Sequence, residues 1–343
     1  MEPGVPGLFG SSLRYPGGLL SKAATAHNGG MNQVRMTNVC MVEPAAFGYN
    51  AETASSNRFQ RDAGLPAAQA AAAARAESAA LAGALRAAGI GVALAADSSE
   101  PAKPDAVFPN NWVSFHDDGT VVLYPLFNPS RRTERREAVI DCVKAQLGFV
   151  ETRRVDLTEE ERRGRFLEGT GSLVLDHRSR VAYAVPSPRT DASLVREWAR
   201  LMDYEPVLFD AATPDGAPVY HTNVVLWIGG RVAGAGLDWV PQAQRQRLRE
   251  RLAAGQRDLM ELRAAQLLAF AGNMLELTDA HGNAHLAMSA SAAGSLDEAQ
   301  RTMLRRADIA SVVAAVPVIE TLGGGSVRCM LAEVPARLAG GAQ

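Results

Sequence analysis

The chain has 343 residues, 47% of them hydrophobic, and a formal net charge of −2. That length can bury one large core or two ordinary ones, and the near-neutral charge gives no electrostatic reason to expect nucleic acid as a partner. Three dispersed cysteines, Cys40, Cys142 and Cys329, with no CxxC pair and no histidines at zinc-finger spacing, argue against a disulfide framework or a structural zinc.

The first thirty residues are rich in Gly and lack the continuous apolar segment of a secretory signal. They read as a flexible leader (1–30) ahead of a single domain over 31–343. No run approaches the ~20 apolar residues of a membrane span, so the chain reads as cytoplasmic, with no membrane partner. "AAQAAAAARAESAALAGALRAA" predicts a helix over Pro66–Ala88, stopped by Gly89. Further helices are expected over Leu194–Met202, from about Gln242, and from Ser295, where Ser295 and Glu298 have capping-box spacing. Strand candidates are "GVALAA", "TVVLYPL", "GSLVLD", "RVAYAV", "NVVLWIG", "SVVAAVPV" and "CMLAEV". The densest basic group, Arg131 to Arg136 in "RRTERR", reads for the most part as a solvated helix face.

Alternating strands and helices alone suggest an α/β domain with a parallel sheet. The punctuation suggests otherwise. Polar residues leading into strands occur at Asp105, Glu168, His221, Asn273 and Cys329, separated by 63, 53, 52 and 56 residues. Such a period, without residue identity, is what a repeated supersecondary unit leaves. Five units closing into a ring would bring Glu168, His221 and Cys329 to one axial point.

Singly, Cys329 fits an inert core thiol, His221 a hydrogen-bonded core histidine and Glu168 a surface carboxylate. Sharing one phase of the repeat makes chemistry the better account. Cys329 follows Gly323–Gly325 and Arg328, whose backbone N–H groups and charge would lower a thiol pKa. His221 can exchange a proton near neutrality, and Glu168 would hold the imidazolium or bind a substrate N–H. Cys40 and Cys142 lack such surroundings and are expected to be structural. A plain dinucleotide-binding domain is disfavoured, since no GxGxxG turn follows an early strand.

In order, "PDAVFPNNW", "SRRTERR", "LEGTGS", "SPRTD", "YHTNV" and "GGGSVRC" resemble the guanidino-group-modifying superfamily of arginine deiminases, dimethylarginine hydrolases and amidinotransferases. The resemblance runs from about Met41 through Val334 and is strongest to its bacterial citrulline hydrolase branch. It implies the pentein fold, a fivefold pseudosymmetric α/β propeller of ββαβ-type modules, with no metal or organic cofactor. It implies a Cys329 nucleophile, His221 as acid/base and Glu168 as its carboxylate partner. By the same matching, Asp105, Asn110 and Asn111 fall on substrate-contacting positions, and Arg131 and Arg189 on positions that meet the amino-acid end of the substrate. Strand alternation would let only one of Asn110 and Asn111 face inward.

Relatives acting on a guanidinium cation place carboxylates where this chain has Asn111, and arginine deiminases also carry an acid at the position of Asn223. An amide both donates and accepts, which suits a neutral ureido group. The expected function is therefore hydrolysis of citrulline. Arginine deimination or dihydrolysis, dimethylarginine hydrolysis and a non-catalytic pentein binding module are the alternatives. A small amino acid is the expected partner, and the sequence leaves a homo-oligomer open.

Overall fold

A computed structural model describes residues 35–336, so the expected leader over 1–30 lies outside the described residues. Within them, fifteen strands form five three-stranded sheets. Four sheets are built from consecutive chain: strands Val113–Phe115, Thr120–Leu123 and Arg153–Asp156 make the second blade, and the third, fourth and fifth blades begin at Leu173, Leu226 and Leu275. Each has its first strand antiparallel to the second and the second parallel to the third, with helical chain crossing between those two. A parallel pair needs such a crossover, and this supplies the ββαβ module.

The first blade is composite. Thr37–Glu43 pairs parallel with Val92–Ala96 on one side and antiparallel with Ala332–Pro335 on the other. The two ends of the described chain thus share one sheet and close the ring. Neighbouring blades touch all the way round, through their strands or the helical turns that lead into them. The result is a fivefold α/β propeller rather than one continuous parallel sheet.

The apolar core lies mainly between the blades. Trp112, Phe115 and Val143 pack with Val42 and Ala93 between the first and second blades, and Trp198, Leu167 and Leu173 pack with Val122 and Tyr124 between the second and third. The long helix Ala67–Ala87 matches expectation closely. It buries Ala70, Ala71, Ala74, Ser78, Leu81, Ala82 and Leu85, at helical spacing, and Gly89 follows at φ +79. Small alanines let it lie close against the strands of the first and fifth blades.

Two expectations need correction. Ser295 ends the short helix Ala290–Ser295 instead of starting the next; Asp297 caps Glu298–Arg306, with its carboxylate accepting from the Gln300 N–H at 3.0 Å and the Gln300 side chain accepting from the Asp297 N–H at 3.0 Å. A second capping box two residues downstream won. The motif residues also do not run straight into strands: a single helical turn intervenes at Pro109–Asn111, Gly169–Ser172, Thr222–Val224 and Val327–Met330.

Those turns interlock near the axis. Thr222 Oγ1 donates to Ser172 O at 2.6 Å and Thr170 Oγ1 to Asn110 O at 3.4 Å. Gly169 has φ +48, and a Cβ there would lie 2.1 Å from the Asn110 carbonyl oxygen. Left-handed strain and backbone collision together should make Gly169→Ala cost about 3 kcal/mol. Gly148→Ala, also at positive φ but with nothing within 4 Å, should cost about 1 kcal/mol. Urea denaturation of both variants checks the difference; equal losses would show that the interlock at Gly169 contributes nothing.

Candidate active site

Turns of the first, second and fourth blades, with Arg189 from the third, meet at one pocket lined by Asp105, Asn111, Arg131, Arg189, His221 and Cys329 among others. Cys329 Sγ and the His221 ring, separate by more than a hundred residues in sequence, therefore line the same cavity. Glu168 lies behind the imidazole with no exposure, its Oε2 2.8 Å from His221 Nε2. A carboxylate only accepts, so Nε2 carries the proton and Nδ1 is left as the free base. Gly171 leaves space on that side: a Cβ there would sit 2.5 Å from Asn111 Nδ2 and 2.8 Å from His221 Nδ1.

The charges behind the imidazole are balanced by position. Burial alone would push the Glu168 carboxyl up, but Arg189, the His221 hydrogen bond and Arg131 outweigh it and hold the group well below the usual carboxylate range. Arg189 Nη1 lies 3.4 Å from Glu168 Oε2 and Arg131 Nη1 3.7 Å. The imidazole goes the other way. Burial lowers it to about 4, the Glu168 partner offsetting part of the loss and the two arginines adding to it. His221 is thus a neutral acceptor at pH 7.

Arg131 is not on a solvated helix face. It is 3% exposed on the turn Pro129–Glu134, and its Nε and Nη2 close a fork on Glu134, both at 2.9 Å. Its Nη1 donates to Asn111 Oδ1 at 3.0 Å. Arg132 and Arg135 pair with Glu161, and Arg136 with Asp97, so the basic cluster is an ion-pair network. Burial pushes Glu134 up to about 7 even with Arg131 beside it. Arg189 donates to Ser56 Oγ at 2.7 Å and to the Thr53 carbonyl at 3.2 Å.

Of the neighbouring asparagines, Asn111 lines the pocket and Asn110 does not; Asn110 is fully buried with both amide atoms unpartnered. Asp105 lines the pocket while accepting from Asn50 Nδ2 at 2.7 Å. Asn223 sits beneath the sulfur, its Nδ2 3.5 Å from Cys329 Sγ.

Arg328 and the glycines do different work from that expected. The Arg328 guanidinium donates to Leu331 O at 2.9 Å and lies 3.5 Å from Glu333. Gly323 and Gly325 admit the Phe108 ring, which a Cβ would meet at 2.8 and 2.9 Å, and Gly324 is left-handed at φ +62. Their carbonyls accept from Asn57 Nδ2 (Gly323, 3.1 Å) and the Tyr220 hydroxyl (Gly324, 2.8 Å). Thr53, Asn57, Phe108 and Tyr220 also line the pocket and were missed in the sequence, because they carry no periodic signal. Asn273 carried one and received no role; its Nδ2 lies 3.2 Å from Cys329 Sγ. Cys40 is fully buried and free, its thiol pushed up by burial.

Residues 43–336 match the family described as N,N dimethylarginine dimethylhydrolase, eukaryotic. No curated protein matches the sequence significantly. Among solved structures, the N-terminal domain of ArgZ, an arginine dihydrolase from the ornithine–ammonia cycle in Cyanobacteria, superposes with a TM-score of 0.67 at 15% identity, covering 88% of this chain and 98% of that one. Unliganded AgrE gives 0.67 at 16% identity, covering 88% of this chain and 40% of the AgrE chain. A dimethylarginine dimethylaminohydrolase carrying an S-methyl-L-thiocitrulline adduct gives 0.58 at 14% identity, over 87% of this chain and 99% of that one. At these identities the likeness shows the pentein fold alone. With the match over most of its length, the chain belongs to the dimethylarginine dimethylhydrolase family, within the guanidino-group-modifying pentein superfamily, and its homologues are hydrolases acting on C–N bonds of guanidino compounds.

Proposed function

We propose that this hydrolase cleaves the ureido group of citrulline, giving ornithine, carbon dioxide and ammonia. The observation that carries this reading is the fixed orientation of Asn111. Arg131 only donates, so the amide must turn Oδ1 towards it, at 3.0 Å, leaving the buried and unpartnered Nδ2 as the polar atom of Asn111 free for a ligand. Asp105 supplies an acceptor in the same pocket. One donor and one acceptor match a ureido group, which has a carbonyl oxygen and N–H groups. A guanidinium, which only donates, would meet the Asn111 N–H donor to donor, a mismatch worth about 1–3 kcal/mol.

In this scheme Cys329 Sγ attacks the ureido carbon while its proton passes to the neutral His221 Nδ1. The imidazolium, steadied by Glu168, returns that proton to the side-chain nitrogen of the departing ornithine as the C–N bond breaks. The remaining S-carbamoyl enzyme is attacked by water, whose proton His221 takes and returns to the sulfur. Carbamic acid leaves and falls apart to carbon dioxide and ammonia. Arg189 is the better partner for the substrate α-carboxylate, since its contacts to Ser56 and Thr53 are with neutral groups that a carboxylate can displace. The Arg131 fork is closed on Glu134.

Arginine dihydrolysis is the second reading. The Asp105 carboxylate in the pocket favours it, since it suits a cation, and its intermediate is itself a ureido compound. Purified protein incubated separately with arginine, citrulline and dimethylarginine, with ammonia counted per ornithine, separates these. One ammonia per ornithine from citrulline and none from arginine is expected; ammonia from arginine with none from citrulline would overturn the proposal.

The low His221 value sets the pH profile. Its imidazole must be neutral to take the thiol proton, so kcat/KM for citrulline should hold as pH falls through the ordinary histidine range and drop only near the lowered value of about 4. An acid limb near pH 6.5 would contradict that role. Glu168→Gln should lower kcat by about a hundredfold or more, because the imidazolium loses its partner; turnover within a few-fold of the parent would remove Glu168 from the mechanism.

A further inference from the structure

Asn273 belongs to the fifth blade and is 2% exposed. Its carboxamide is fixed at three points. Oδ1 accepts from the Cys329 N–H at 3.4 Å, and Nδ2 donates to the Asn223 carbonyl at 3.0 Å and to Cys329 Sγ at 3.2 Å. A backbone N–H can only donate and a carbonyl can only accept, so the amide cannot be turned over. The donor therefore faces the sulfur by necessity. Asn223 Nδ2 reaches the same sulfur from the fourth blade at 3.5 Å.

The charged and titratable groups around the thiol leave this role open. Across the pocket stand His221, neutral at pH 7, and Tyr220, whose hydroxyl is committed to Gly324 O at 2.8 Å. Asp105, Arg131 and Arg189 line the remaining wall, with Glu168 and Glu134 behind them; Arg131 Nε also lies 3.8 Å from Asp105 Oδ2, and their other contacts are those already described. On the sulfur's own turn, Arg328 is engaged by Leu331 O and Glu333. The hydrogen-bond donors at the sulfur are two neutral amides.

We propose that the Asn273 and Asn223 carboxamides form a neutral cradle that stabilises the Cys329 thiolate, with Asn273 the principal member. The inference rests on Cys329 acting as nucleophile, although it does not depend on which substrate is cleaved. Neutral donors have a consequence that a cation would not: they favour the thiolate without adding charge that would repel a substrate α-ammonium or further depress His221. Thiol and thiolate both accept hydrogen bonds, but the anion gains far more from them. The pair therefore assists formation of the attacking thiolate and, later, its departure from the carbamoyl intermediate.

The test is the pH dependence of iodoacetamide alkylation at Cys329, localised by peptide mass spectrometry so that Cys40 and Cys142 do not contribute. It compares the parent with Asn273→Leu, Asn273→Ser and Asn223→Ala, each checked for folding by circular dichroism. Serine is included because its short side chain is easily accommodated but cannot span Asn223 O and the sulfur together. The midpoint for alkylation should rise by about one unit in both Asn273 variants, making labelling about tenfold slower below it, and by less in Asn223→Ala. A purely structural role would change melting temperature but leave the midpoint in place. An unshifted midpoint in either folded Asn273 variant overturns the cradle. A shifted midpoint in a protein that turns over no ureido or guanidino compound would uphold the cradle and defeat the substrate reading instead.

Discussion

A carboxylate with no contact to water is the fixed point of this site. Glu168 is fully buried, and an ionised carboxyl there is tolerable because Arg189, His221 and Arg131 surround it and the Phe127 N–H donates to its Oε1 at 3.1 Å. Each partner is thereby constrained. His221 must present Nε2–H to the acid, which leaves Nδ1 bare beside Gly171, and Arg131, held on Glu134, must present a remaining N–H to Asn111. One buried charge therefore fixes a tautomer and helps to fix the Asn111 side-chain amide at the pocket wall.

The ring architecture makes that chain of constraints rigid. Asn111, Glu168, His221, Asn273 and Cys329 are supplied from five different blades, each on or beside a turn leading to the strand nearest the axis. Because the apolar core lies between blades, a shift of one turn would disturb packing on both of its sides. Gly169 and Gly171 allow neighbouring turns to approach within distances that no other residue permits. The "EGTGS" stretch is thus a spacing device for the second, third and fourth blades as much as a carrier of Glu168. The charges are gathered on the imidazole and arginine side, and the sulfur is met by neutral amides.

Much of this was legible in the chain. The near-regular separation of Asp105, Glu168, His221, Asn273 and Cys329 pointed to five modules, and the structure has five. The helix over Ala67–Ala87 and its Gly89 stop followed from propensity. Boundaries failed where two local signals competed, as at Ser295 and Asp297, or where a single helical turn was too short to leave a periodic trace. "RRTERR" misled because charge patterning records composition and not burial: a fully paired arginine and a solvated one are written alike. Thr53, Asn57 and Phe108 were invisible for a different reason, since they reach the pocket through loop packing that no spacing rule encodes.

The sequence by itself determined the module count, the superfamily and the kinds of group brought to the axis, because these depend on local pattern and residue chemistry. Only the tertiary structure decided which of Asn110 and Asn111 faces the cavity, which imidazole nitrogen is free, that Arg328 turns to Glu333, and that Asn273 rather than a cation meets the sulfur. The contacts of the imidazole and of the sulfur join blades more than fifty residues apart in the chain. Hydrogen-bond direction and burial there are properties of the closed ring, not of any segment within it.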